Sequence, residues 1–179
     1  MNLPNKLTVL RVIMIPFFVF FYLTGKVYIA DILFIVASLT DMLDGKIARK
    51  YNLVTNFGKF MDPLADKILV TAALVYFIPL GLAPAWVVIL ILAREFLVTS
   101  LRLIAAGKGI VIAADRWGKY KTATTMVWIA YALLMQHFWI GVPAAWALHV
   151  ALMVLSLGLT LLSGANYLWK NRALIAQAK

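Results

Sequence analysis

An all-α integral membrane protein with six membrane-spanning helices is what this sequence predicts, and three observations carry that expectation. Hydrophobic residues fill 64% of the 179 positions, whereas a soluble domain is only about half apolar. Six apolar runs, each near the ~20 residues that cross the hydrocarbon as a helix, are separated by short segments holding Gly, Pro and charge. Basic residues gather in those segments, nearly all on one side.

The elements follow in order. The first span covers about 7–23; basic residues precede its apolar run as in a signal peptide, but no small-residue cleavage site follows, so it is expected to stay as an uncleaved span. The second covers 28–49, through ADILFIVASLT into a polar segment. The third covers 58–78 and carries acids in its opening turns. Pro79-Leu80-Gly81-Leu82-Ala83-Pro84 ends it, two prolines around a glycine being a strong break. The fourth covers 85–106. After GKGIVIAADRWGK the fifth covers 119–140, Gly141-Val142-Pro143 makes another tight turn, and the sixth covers 144–169. No internal repeat or low-complexity tract interrupts this plan, and 1–179 reads as a single membrane domain.

Charge sets the orientation. The side of the N-terminus receives Lys6, Arg11, Lys46, Arg49, Lys50, Lys59, Lys108, Arg116, Lys119, Lys121, Lys170, Arg172 and Lys179, against Lys26 alone on the other. The positive-inside rule then places both termini in the cytoplasm. Trp86, Trp139 and Trp146 fall at outer ends of spans, and Trp117 and Trp169 at inner ends, as an aromatic belt requires. A net charge of +10 suggests nucleic acid in a soluble protein; here the charges sit between apolar runs, where they favour anionic headgroups and phosphate-bearing substrates instead. The absence of cysteine excludes disulfides, zinc–thiolate sites and thiol catalysis.

The chemistry is concentrated between Asp41 and Asp66, which holds four of the seven acidic residues: Asp41, Asp44, Asp62 and Asp66. The pairs are spaced i,i+3 and i,i+4, so each shares one helix face. Asp41, Asp44, Gly45 and Ala48 form one stripe of the second helix, and Gly58, Asp62 and Asp66 one stripe of the third. The second helix descends to the cytoplasmic side and the third returns from it, so the two acidic faces are expected to meet. Carboxylates gathered there repel by roughly 4 kcal/mol per close pair at an effective dielectric near 20. Hard divalent cations such as Mg²⁺ or Mn²⁺ relieve that repulsion. Gly45, Ala48 and Gly58 leave room for a bulky group, and Arg49 offers a forked donor to phosphate. Metal, small residues and a rim arginine suit a diphosphate, with catalysis by charge neutralisation and positioning. Structural pairing of the acids with Lys46, Lys59 and Lys67, or a solvated loop, is the competing reading.

Written as D-x2-D-G-x2-A-R-x8-G-x3-D-x3-D, from Asp41, Asp44, Gly45, Ala48 and Arg49 to Gly58, Asp62 and Asp66, the segment resembles the signature of the CDP-alcohol phosphatidyltransferase family at every fixed position. The resemblance implies that family's six-helix membrane fold and transfer of a phosphatidyl group from a CDP-linked lipid to an alcohol, with release of CMP. It further implies two divalent ions on Asp41, Asp44, Asp62 and Asp66, with Asp66 also the catalytic base. Gly45, Ala48, Arg49 and Gly58 are then implied to line the CDP site, joined by Thr55, Asn5 and Thr8. A homodimer is likewise implied.

Asn5-Lys6-Leu7-Thr8-Val9-Leu10-Arg11, Ala93-Arg94-Glu95-Phe96, Ser100-Leu101-Arg102 and Gly118-Lys119-Tyr120-Lys121-Thr122 resemble bacterial phosphatidylglycerophosphate synthases within that family. That subfamily implies CDP-diacylglycerol as donor, sn-glycerol 3-phosphate as acceptor, and a place in the bacterial inner membrane with the active site facing the cytoplasm. The residues themselves suit such an acceptor: Arg94 and Arg102 lie i,i+8 on roughly one face, and with Lys119 and Lys121 they are expected to form a basic pocket for its phosphate. Against this stand a structural pair of Arg94 with Glu95 or an acid of the second helix, and plain membrane anchoring by Lys119 and Lys121. Other acceptors (serine, an inositol phosphate, a lipid alcohol) remain alternatives, as does a divalent-cation transporter, although transporters place such acids at the midplane of repeated, broken helices. His137 and His149 are expected to be interfacial or packing residues. Asp31 is expected to be solvated or paired with Lys26, and Asp115 to pair with Arg116. Gly158, Ser163 and Gly164 are small residues that allow close helix contact.

Overall fold

The computed structural model describes residues 3–50, 56–107, 110, 112 and 116–172, with side chains described for 5–40, 61–107, 110, 112 and 116–172. Among the described residues six helices follow one another: α1 (Leu3–Leu23), α2 (Val27–Lys50), α3 (Asn56–Phe77), α4 (Ala85–Gly107), α5 (Arg116–Phe138) and α6 (Pro143–Lys170). No strand occurs among the described residues. Among the described residues two stretches, Asn5–Leu23 and Pro143–Lys170, are long and apolar enough, by length and composition, to cross a membrane. The chain forms two compact units, Met1–Ala73 and Leu74–Lys179, and the division falls within α3.

Each helix ends where the local chemistry stops it. α1 closes on Gly25, whose φ of 75° lies in the left-handed region that costs a glycine nothing. Lys26 N–H then reaches back to Phe21 O at 2.9 Å, and Gly25 N–H to Tyr22 O at 3.0 Å. This Schellman pairing satisfies carbonyls that a helix end leaves bare. α3 ends the same way: Gly81 has φ 70°, Leu82 N–H bonds Phe77 O at 3.0 Å, and Gly81 N–H bonds Ile78 O at 3.1 Å. α6 opens with Pro143 in its first turn after an extended Val142, where the missing N–H is not needed.

In the first unit α1 packs on α2. The buried positions of α1 (Asn5, Thr8, Arg11, Ile15, Phe18 and Tyr22) recur every three to four residues and so form one face. Its apolar part meets Ala30, Phe34 and Ala37 of α2; Phe18 lies 4.8 Å from Tyr22 and 5.8 Å from Phe34 between ring centroids. Asp31 departs from expectation. It is buried, and the Tyr22 hydroxyl donates to its Oδ1 at 2.6 Å. Spacing explains the departure: Asp31 follows Ala30 and precedes Phe34, so it shares the face α2 turns to α1, and a buried carboxylate needs such a donor.

In the second unit α6 packs against both α4 and α5. Its core near the helix ends joins Phe77, Leu82, Val87, Val88, Trp128, Ile129 and Leu133, with Phe77 and Trp128 edge to face at 5.8 Å. His149 is buried there; its Nε2–H donates to Leu82 O at 2.7 Å and its ring stacks on Trp146 at 5.2 Å. That is a packing role. Asp115 lies outside the described residues.

Candidate functional site

The first unit carries the acidic site. α2 runs unbroken to Lys50, so positions 41, 44, 45 and 48 fall on one stripe of a continuous helix. α3 runs unbroken from Asn56, which puts 58, 62 and 66 on one stripe as well. Thr55 lies outside the described residues, as do the side chains of Asp41, Asp44, Gly45, Ala48, Arg49 and Gly58. Asp62 and Asp66 are half-buried, one turn apart.

A third element reaches this pair. Thr8 of α1 is buried and its hydroxyl donates to Asp62 Oδ1 at 2.7 Å, across 54 residues of sequence. A hydrogen bond to an ionised group is worth about 1.5–3 kcal/mol, enough to hold one carboxylate oxygen in place. Thr8 does not stand alone: Asn5 and Arg11, three residues to either side, are buried on the same face, and Arg11 is 0% exposed. Sequence reasoning took Arg11 as an orienting charge and as the end of the Asn5–Arg11 motif, without a place in the site; its burial marks it as part of the polar end of α1. Among the described residues no group of three or more His, Cys, Asp or Glu gathers. The donors Asp62 and Asp66 are nonetheless hard oxygens, half-buried, with one fixed by Thr8, and they fit a hard divalent cation.

The second unit carries the basic site. Arg94 Nη1 donates to Glu95 Oε1 at 2.6 Å and Lys121 Nζ donates to the same oxygen at 2.7 Å. Lys121 has only 4% of its side chain exposed, Arg94 12% and Glu95 25%. Two cations held on one carboxylate oxygen repel by roughly 3 kcal/mol at about 5 Å and an effective dielectric near 20; Glu95 offsets that and leaves one positive charge over. Arg94 Nη2 donates to Ser163 Oγ on α6. Farther along α4, Arg102 is exposed; its Nε donates to the Tyr167 hydroxyl at 3.0 Å and its guanidinium lies 5.4 Å over that ring.

Arg94 and Lys121 are thus brought together. The pairing of Arg94 with Glu95, weighed above as a structural alternative, is present and takes in Lys121 as well. Lys119 is exposed. Two residues along a helix is a rotation of about 200°, so Lys119 and Lys121 point to opposite sides of α5. Sequence reasoning missed the part of Ser163 and Gly164 in this site, having read them as helix-contact residues. Both are buried, and a Cβ on Gly164 would stand 3.0 Å from Arg94 Cγ, whereas Gly158 has nothing within 4 Å. The available signal was Ser156, Thr160, Ser163 and Tyr167, spaced 4, 3 and 4 along an otherwise apolar α6.

Comparison with known proteins adds the following. The family model described as CDP-alcohol phosphatidyltransferase matches residues 1–162. The chain is 45% identical to the CDP-diacylglycerol–glycerol-3-phosphate 3-phosphatidyltransferase of Bacillus subtilis (strain 168), over 95% of each chain. It is 38% identical to the protein of the same name from Escherichia coli (strain K12), over 96% of each. Identity to a probable phosphatidylglycerophosphate synthase of Mycobacterium tuberculosis is 41%, over 93% of this chain and 79% of that one.

Proposed function

Because the chain belongs to the CDP-alcohol phosphatidyltransferase family, we infer that it transfers the phosphatidyl group of CDP-diacylglycerol to the C1 hydroxyl of sn-glycerol 3-phosphate, giving phosphatidylglycerophosphate and CMP. The observation that carries this reading is 45% identity to a protein named for that reaction, along 95% of both chains. The acid signature from Asp41 to Asp66 and the Arg94–Glu95–Lys121 cluster are the local chemistry consistent with it.

Each residue then has a task. Asp41, Asp44, Asp62 and Asp66 hold two divalent ions, Mg²⁺ or Mn²⁺, which when bound neutralise charge on the diphosphate and the departing CMP. Thr8 keeps Asp62 Oδ1 oriented. Asp66 accepts the proton of the C1 hydroxyl; the oxygen attacks the lipid-side phosphorus, and the bond from that phosphorus to CMP breaks. Gly45, Ala48 and Gly58 admit the CDP group, with Arg49, Asn5 and Thr55 as polar contacts to it. Arg94 and Lys121, with Arg102 and Lys119 farther out, take the phosphate of the acceptor as charge-assisted partners. The enzyme spans the inner membrane six times with both termini and the active site on the cytoplasmic side, surrounded by membrane lipids, and works as a homodimer.

Release of CMP by the detergent-solubilised protein tests this directly. With CDP-diacylglycerol and Mg²⁺ or Mn²⁺, turnover is expected with sn-glycerol 3-phosphate and not with serine or inositol phosphate. A chelator should abolish it and added metal restore it. Asp66→Asn is expected to lower turnover by at least about 100-fold, the lower range for a positioned base. Turnover within a few-fold of wild type, from folded protein, would remove Asp66 from that role.

A further inference from the structure

Arg94 is held more closely than an anchoring arginine needs to be. Its Nη1 is on Glu95, its Nη2 on Ser163, and its stem lies against the bare backbone of Gly164, where a Cβ would come within 3.0 Å of Cγ. Gly118 closes the other side: a Cβ there would stand 3.8 Å from Nη2 and 4.0 Å from Ser163 Oγ. Yet Arg94 Nε is buried without a hydrogen-bond partner among the described residues. A purely structural buried arginine has its donors filled, and a guanidinium carries five. Lys121 Nζ lies beside it, donating to the same Glu95 oxygen at 2.7 Å.

We propose that Ser163 and Gly164 of α6 are positioning residues for the acceptor, seating the Arg94 guanidinium beside Lys121 so that the two together grip a phosphate monoester. The inference rests on the acceptor reading above. The hydroxyl of Ser163 fixes the guanidinium in rotation, and the absence of a side chain at Gly164 lets the stem come in far enough to meet Lys121 across Glu95. Neither residue touches the acceptor. Both act through Arg94, so their loss should appear in acceptor binding and leave the chemistry of the first unit alone.

Steady-state kinetics with each substrate varied in turn, together with a melting temperature, decides the matter. Ser163→Ala is expected to raise KM for sn-glycerol 3-phosphate about tenfold, as loss of a bond to a charged group should. Gly164→Ala, which shifts the arginine by a few tenths of an ångström, should raise it roughly threefold to tenfold, since a 1 Å misplacement costs about 100-fold. KM for CDP-diacylglycerol and kcat should stay within about twofold of wild type, and melting should fall by no more than the few degrees that about 1 kcal/mol gives in a chain of this size. Ser163→Thr, which keeps the hydroxyl, should restore the acceptor KM, and Gly158→Ala on the same helix should be silent. Arg94→Gln is the reference: if it leaves the acceptor KM unchanged, the acceptor reading falls and this inference with it. If Arg94→Gln raises that KM while Ser163→Ala and Gly164→Ala do not, the positioning role is overturned and the acceptor site stands. Equal rises in both KM values with a drop in melting temperature also overturn it, in favour of plain helix packing.

Discussion

Thr8 has a single hydroxyl, and it spends its one proton on Asp62 Oδ1 at 2.7 Å. That fixes which oxygen of the carboxylate is turned toward α1 and which remains for other partners. Groups that orient a ligand in this way typically matter 10- to 100-fold in metal affinity or activity. Thr8→Val, nearly the same shape without the hydroxyl, is therefore expected to lower turnover by roughly 10- to 100-fold and to raise the Mg²⁺ or Mn²⁺ concentration needed for half-activity. Thr8→Ser should recover most of both. A Thr8→Val enzyme with an unchanged metal requirement would show that the bond serves packing of α1 alone. The bond also shows what a sequence conceals at this scale. Asp62 and Asp66 are conspicuous in an apolar chain, and their i,i+4 spacing reads at once as a shared face. That their partner is Thr8, 54 residues away, or that Arg94 finds Ser163, 69 residues away, is written in no local pattern. Asp31 is the same lesson from the other side: a charge near a helix end looks solvated until the face it shares with Phe34 is recognised.

The positions of the helices, by contrast, were legible to within four residues. Expected spans of 7–23, 28–49, 58–78, 85–106, 119–140 and 144–169 stand beside Leu3–Leu23, Val27–Lys50, Asn56–Phe77, Ala85–Gly107, Arg116–Phe138 and Pro143–Lys170. Apolar runs and Gly/Pro breaks state where a helix must stop, because an unpaired backbone is costly away from water. The starts of α1 and α5 came early by three or four residues, since polar first turns such as Pro4-Asn5-Lys6 and Arg116-Trp117-Gly118 carry no apolar signal. The ends hold the sharper stability test. Gly81 has φ 70° with nothing within 4 Å of an added Cβ, so Gly81→Ala meets no clash and incurs only the left-handed backbone cost of about 1–2 kcal/mol. For a chain of this size each 1 kcal/mol lowers melting by about 2–4 °C. KM values should not move, and Gly141→Ala, at a turn without positive φ, should melt as wild type. Equal melting of Gly81→Ala and wild type would mean that the α3 terminus relaxes to another cap.

At the scale of the whole molecule the question is which way the chain lies in the bilayer, and the distribution of charge supports the proposed orientation. A net +10 divided between two aqueous faces is governed by two fields acting in the same sense. The anionic cytoplasmic leaflet favours each nearby Lys or Arg by about 1 kcal/mol, and each charge moved across the membrane potential is worth about 2.3 kcal/mol per 100 mV. With Lys26 the lone basic residue in the turns proposed to face outward, and the remaining loop charges on the other side, inversion opposes both fields many times over. The chain has no cysteine, so single cysteines report sidedness without background. Lys26→Cys, in the α1–α2 turn, and Ile140→Cys, in the α5–α6 turn, are both exposed positions; they should react with a membrane-impermeant maleimide in intact cells. Lys170→Cys, exposed at the end of α6, should react only after lysis. In that proposed orientation the Asp41–Asp66 segment is expected to face the cytoplasm, where CMP is to be released. Labelling of Lys170→Cys in intact cells, with Lys26→Cys protected, would invert the molecule and put the proposed acid site on the wrong side for a cytoplasmic acceptor.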